Sequence, residues 1–154
     1  MRTPTPQHQR LQVFAGDWLG QETVASTPWG EGGPATAQIH ARLVLNGFFL
    51  EQHYRQQRHG QTTFEVHASL GFDEEQQQFA LFWLDSFGFV PRQPAWGQWQ
   101  DEQTLVFLRH SARGQARHTY RLTAPDCYEN RIENSWDGGQ TWSEFLRGEY
   151  RRQP

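Results

Sequence analysis

Lysine is absent from these 154 residues, and all 14 basic side chains are arginine. That excludes Schiff-base chemistry and the lysine of a phosphate-binding loop. A single cysteine, Cys127, excludes an intrachain disulfide and any multi-cysteine metal cluster. No apolar run approaches the roughly 20 residues of a membrane span. Residues 1–10 are polar, interrupted by Pro4 and Pro6, and carry no apolar signal region. A net charge of -3 and a pI near 6.1 supply no basic face of the kind a general nucleic-acid binder needs. The expectation is a soluble, cytoplasmic protein with neither nucleic acid nor membrane as partner.

Aromatic residues are plentiful at 14%, against a modest hydrophobic fraction of 36%, so rings must build much of the core. A chain of this length forms one domain, here 1–154, with residues 1–6 as a flexible leader. Leu11 and Phe14, three apart after a proline, predict a short helix over 7–14 that covers one end of the remaining fold. From there to the end the period is two. Strands are expected at 18–24, 35–45, 48–57, 62–73, 77–86, 95–100, 104–110, 116–124, 127–135 and 141–150, after a long turn at 27–34 in the case of the second. Asn46-Gly47 is a hairpin turn that sets Leu43 opposite Leu50, Ile39 opposite Tyr54, Arg42 opposite Glu51 and His40 opposite His53. One face of that hairpin is apolar and the other is charge-paired. The pattern predicts an all-β fold, a ten-stranded antiparallel up-and-down barrel with a short N-terminal helix.

Two stretches carry resemblances. Ser135-Trp136-Asp137-Gly138-Gly139-Gln140-Thr141-Trp142 resembles the Asp-box hairpin of sialidases and other β proteins, a structural turn that says little about chemistry. Gly16-Asp17-Trp18 resembles the Gly-x-Trp opening of calycins, the lipocalin, fatty-acid-binding and nitrobindin-like barrels. Phe14-Ala15-Gly16-Asp17-Trp18-x-Gly20, Leu45-Asn46-Gly47-x-Phe49-Leu50-Glu51, Asp137-Gly138-Gly139-x-Thr141-Trp142 and Tyr150-x-Arg152 together are similar to a family of uncharacterised bacterial calycin-like proteins of about this length. The resemblance implies a calycin-like barrel in which Trp18 packs under an arginine of the last strand: Arg147, Arg151 or Arg152. It implies no activity. In the nitrobindin-like branch a histidine of the C-terminal strands binds haem iron. Here the last histidine is His118, which counts against haem.

Strand parity turns a set of polar residues toward the interior: Glu22, Gln52, Tyr54, Asp85, His118, Tyr120, Asn130, Asn134 and Glu144. That is more than a filled core pairs easily, since each unpaired buried polar group is costly. A cavity is one reading, and parity slipped by one in the shorter strands is the other. The candidate ligand-binding residues are Tyr54, Phe64, Trp83, Asp85, Phe87, Phe89, His118, Tyr120, Asn130, Ile132, Asn134 and Glu144, with the aromatic 87–94 segment as a movable lid. Carboxyls desolvated among rings can act as general acids or bases, so Asp85, Glu144 and Glu22, with His118, are the catalytic candidates. Structural ion pairing is the plainer role for them. His40 and His53 lack a third ligand near them in sequence, and no metal or other cofactor is expected. Three readings therefore stand: a binding module for a small, mostly apolar ligand, a small hydrolase or isomerase, and an interaction protein whose outer wall forms a homodimer.

Overall fold

Alternating apolar side chains commit each strand to one inward face. The computed structural model, which describes residues 1–28 and 30–154, closes ten such strands into a barrel. In chain order they are β1 (Gly16–Val24), β2 (Gly33–Val44), β3 (Phe49–Arg58), β4 (Gln61–Asp73), β5 (Gln78–Asp85), β6 (Ala95–Trp99), β7 (Thr104–Ser111), β8 (Gly114–Ala124), β9 (Cys127–Ser135) and β10 (Ser143–Arg152). Every strand pairs antiparallel with its chain neighbours, and β1 pairs with β10, so the sheet closes on itself. The register expected from the Asn46-Gly47 turn is present: Leu43 faces Leu50, His40 faces His53 and Ile39 faces Tyr54. Trp29, in the turn expected at 27–34, lies outside the described residues.

The lower end is plugged. A four-residue helix α1 (Pro6–Gln9) runs into a 3-10 turn (Arg10–Phe14), which together occupy the segment expected as one helix. Leu11 and Phe14 are wholly buried, and Phe14 meets the rings of Trp99, Tyr120 and Tyr128. In the 1–6 segment, expected as a flexible leader, Arg2 pairs with Glu74 at 2.6 Å and Thr5 caps α1 through His8. Of the three arginines open as partners of Trp18, it is Arg152 that lies over the ring, its guanidinium carbon 4.3 Å from the centroid.

At the upper end, two features position the candidate site. The first is the Asp137 hairpin. Thr141 N–H and Ser135 Oγ donate to Asp137 Oδ1 at 2.9 and 2.8 Å, and Gly138 and Gly139 take φ of 75° and 88°. The Thr141 hydroxyl, which donates to Oδ2, and then these donors hold the exposed Asp137 carboxyl down at about 2. The hairpin keeps 141 and 142 out of the ladder, so β10 begins two residues later than the sequence pattern suggests. The second feature is the brevity of β6, which pairs with β5 only over Phe79–Leu81 and with β7 only as far as Leu108. Above that level residues 82–85 of β5 and 109–111 of β7 have no β6 ladder partner, and the 86–94 segment joins β5 to β6 there. This break in the ladder is the β5–β7 window.

Candidate functional site

Inward parity brings two polar clusters into the upper half of the barrel. The first is centred on Glu22 of β1, which is 4% exposed. Its carboxylate accepts hydrogen bonds from Tyr54 Oη at 2.7 and 2.9 Å, from Gln56 Nε2 at 2.9 Å and from Tyr150 Oη. Gly20 permits this, since a Cβ there would collide with the Tyr150 ring. Burial raises the Glu22 pKa, and the bonds from Tyr150, Gln56 and Tyr54 oppose the rise. Desolvation and the Glu22 charge likewise push the phenols of Tyr54 and Tyr150 up. With donors filling its oxygens, Glu22 is tied into the wall. Gln56 and Tyr150 are the members of this cluster that sequence reasoning missed, although Gln56 shares the parity of Tyr54.

The second cluster lies at the window. His118 of β8 is 1% exposed, and neither ring nitrogen has a hydrogen-bond partner among the described residues. The Trp83 ring of β5 sits against it at 4.7 Å between centroids. Burial first, and the Arg109 charge second, lower the His118 pKa to about 3, so the imidazole is neutral at pH 7. Arg109 of β7 comes after Leu105 and Phe107 on the inward parity, and it is half-buried. Desolvation lowers its pKa and the Asp85 charge opposes that. No carboxylate lies within ion-pair distance of it among the described residues. Asp85 is already engaged, accepting from Trp83 Nε1 at 2.8 Å and from the Phe87 N–H at 2.9 Å. Arg109 escapes a reading of the sequence because it opens the polar run Arg109-His110-Ser111. Its i, i+2 spacing from Phe107 is the available signal.

The other candidates divide between the barrel's centre, its mouth and its outer wall. Tyr54, Phe64, Trp83, Tyr120, Asn130 and Ile132 line a central space together with Gln52, Tyr128 and Tyr150. That space holds only about 20 Å³, room for about one water. Phe87 closes the mouth against Phe64 (5.1 Å) and Phe145 (6.4 Å), yet stays 57% exposed. Phe89 turns away, its ring under the Arg113 guanidinium at 3.1 Å. Asn134 is half-buried near the upper rim. Glu144 is a correction: it faces outward and pairs with Arg147 at 2.9 Å and Arg131 at 3.3 Å. A register shift between Glu144 and Leu146 admits one extra residue, which turns Phe145 inward and Glu144 out. No such irregularity can be read from residues 143–147 alone.

The outer wall is charge-paired, as in Arg55–Glu65 at 3.3 Å and Arg121–Glu129 at 2.8 Å. It carries a groove of about 380 Å³ where His67 comes beside His53, 4.2 Å between rings, and His40 bonds Asp17. Sequence order alone hides His67 from that pair. No group of three His, Cys, Asp or Glu is placed to hold a metal among the described residues. Among those same residues, no helix is long and apolar enough to cross a membrane.

A closed, up-and-down ten-stranded barrel with its lower end sealed by an N-terminal helical turn and a Trp–Arg pair is a calycin-like barrel. Residues 3–152 match the model of the family described as "Protein of unknown function (DUF1579)", and the chain belongs to that family. Among solved structures it is similar to Rv2717c of M. tuberculosis, with 13% identity over 97% of this chain and 99% of that one and a TM-score of 0.73. It is also similar to an S-type phycobiliprotein lyase, CPES, of Guillardia theta, with 11% identity over 97% and 94% of the two chains and a TM-score of 0.69. At such identities the likeness is one of fold. No curated protein matches the chain.

Proposed function

We propose that this protein is a cytoplasmic binding barrel for a small, mostly apolar ligand, taken at the upper mouth beneath the 87–94 segment. The observation that carries the reading is His118. A neutral imidazole keeps one N–H, and leaving it unpaired in a dry interior costs about 1–3 kcal/mol. A ligand that reaches the ring past Trp83 supplies the missing partner. The enclosed space of about 20 Å³ is too small for such a ligand, so binding requires Phe87 to leave its seat on Phe64 and Phe145. Gly88, at φ 82°, gives the segment a hinge next to that ring. The likeness to a phycobiliprotein lyase is consistent with an interior that handles a small molecule. Catalysis by the interior carboxylates is the weaker reading, because Glu22 and Asp85 are engaged by other donors and neither bonds His118.

The test uses N-phenyl-1-naphthylamine, an uncharged fluorophore. Saturable one-to-one binding is expected, weakened about tenfold or more by Trp83→Leu, which removes a ring face from the site. An outer-wall variant, Leu84→Gln, should leave it unchanged. Absence of saturable binding, or equal binding by Trp83→Leu, would overturn the reading. Native mass spectrometry of freshly purified protein then asks what co-purifies.

A second reading is favoured by one observation. Outside the barrel, Phe82 (47% exposed) and Leu84 (55%) of β5 share the outward parity of Trp96 on β6 and Leu108 on β7, apolar side chains on a wall that elsewhere carries ion pairs. A homodimer through this face predicts a concentration-dependent mass in sedimentation, abolished by Phe82→Glu. A monomer at every concentration would sink it.

A further inference from the structure

We infer that the ligand is an organic anion with a planar ring body, whose acidic group is held at the β5–β7 window by Arg109 and His118. This rests on the proposed binding function and adds to it the charge of the ligand and the point where that charge docks. Three features of the window converge on it. Arg109 faces inward from β7 with its charge uncompensated within ion-pair distance, and a half-buried guanidinium without a counter-ion is a costly arrangement. His118, on the neighbouring strand and one inward position lower, contributes a second donor with no partner. Asp85, the nearest opposing charge, has its oxygens committed to the Trp83 indole and the Phe87 amide, so it balances the field without filling the donors. Two unclaimed donors and one net positive side chain define an anion subsite in chemical terms. Trp83 beside it, and Phe87 and Phe64 across the mouth, supply faces for a flat apolar body.

The geometry also selects against alternatives. A long aliphatic chain directed down the axis meets the stacked rings of Tyr128 and Tyr150, 5.0 Å apart, and the plug of Phe14 below them. A compact ring system taken at the mouth has Phe87 to displace from Phe64 and Phe145.

Two fluorophores with the same anilinonaphthalene body separate charge from shape: 8-anilinonaphthalene-1-sulfonate, which is anionic, and uncharged N-phenyl-1-naphthylamine. Arg109→Gln should weaken the sulfonate about tenfold or more, the worth of a charge-assisted hydrogen bond, and shift the neutral probe by no more than about twofold. Asp85→Asn, which removes the repelling charge and keeps one of the two acceptor oxygens, should raise the affinity for the sulfonate relative to that for the neutral probe. Circular dichroism checks that each variant folds, and Asp85→Asn decides the matter should Arg109→Gln fail to. If the neutral probe binds with its dependence on Trp83 while the sulfonate ignores both substitutions, the anion subsite is wrong and the binding reading survives. If neither probe binds the unsubstituted protein, both fall together.

Discussion

Trp18→Ala is expected to remove about 3–5 kcal/mol of folding stability, the range for deleting a buried aromatic side chain. Few positions in the chain have as many dependants. Trp18 is 1% exposed, its indole N–H donates to the Phe14 carbonyl at 3.0 Å, and its ring meets Tyr128 edge-on at 4.7 Å. Directly opposite in the β1–β10 ladder stands Arg152, whose guanidinium covers the ring. The same guanidinium donates to the carbonyls of Ala15 and of Val13, the latter at 3.0 Å, and to Asp126 at 2.9 Å. One residue pair thus ties the 3-10 turn, the first strand and the last strand together at the seam where the barrel closes. Alanine would leave a cavity, free the Phe14 carbonyl and expose the underside of the plug. Trp18→Phe, which keeps much of the volume and loses the hydrogen bond, should fall between the two. Urea unfolding measures it, and a loss below about 1 kcal/mol for the alanine variant would mean that the seam is held by something else.

Much of this architecture is legible in the sequence because long hairpins over-determine their own parity. In β2 and β3 the turn at Asn46-Gly47 fixes register, and a slip of one residue would bury Arg42 and His40 while exposing Ile39 and Leu43. In β4 and β5 the run Phe64, Val66, Ala68, Leu70, Phe72 admits only one inward face, so Trp83 and Asp85 take their direction from pairing with Ala68 and Val66. What fails to show is irregularity. The shift beside Phe145 has no signature in residue types, and it reverses Glu144. The site is less legible than the fold for a related reason. His118 and Arg109 come to neighbouring inward positions only because β7 and β8 pair Phe107 with His118, a pairing of strands whose ends read as polar and short. Nor does composition reveal how full a barrel is. The same aromatic residues could line a cavity or fill it, and here Tyr54, Tyr120, Tyr128 and Tyr150 reduce it to about 20 Å³.

The orphaned imidazole should also make the protein labile to mild acid, and His118→Leu should remove that lability. At pH 7 His118 is neutral in both folded and unfolded chains. Below the ordinary histidine value of 6.5 the unfolded chain takes up a proton that the folded one refuses until about pH 3. The unfolded state then binds more protons, so stability falls as pH falls through that window, by a total on the order of 5 kcal/mol. The charged neighbours do not reverse the sign: Arg109 on β7 repels a second positive charge, and Asp85 on β5 has its oxygens engaged. On β9, the partner of His118 is the apolar Ile132. Other groups titrate in the same range. His8, also lowered by burial, adds a smaller loss in the same direction. Glu22, with its pKa raised, acts oppositely: its folded form protonates first, so its contribution to stability grows as pH falls toward its unfolded value. Comparing the two proteins at each pH cancels both and isolates His118. At pH 7 leucine, close in volume, loses the ring contact with Trp83 but ends the unpaired polar burial, so a net change within about 1 kcal/mol is expected. Between pH 6.5 and 4 the variant's urea midpoint should stay well above that of the parent, with the gap widening at each step. Parallel profiles would show that His118 takes up a proton in the folded protein as readily as in the unfolded chain, and with it the case for an unsatisfied, ligand-seeking ring would be lost.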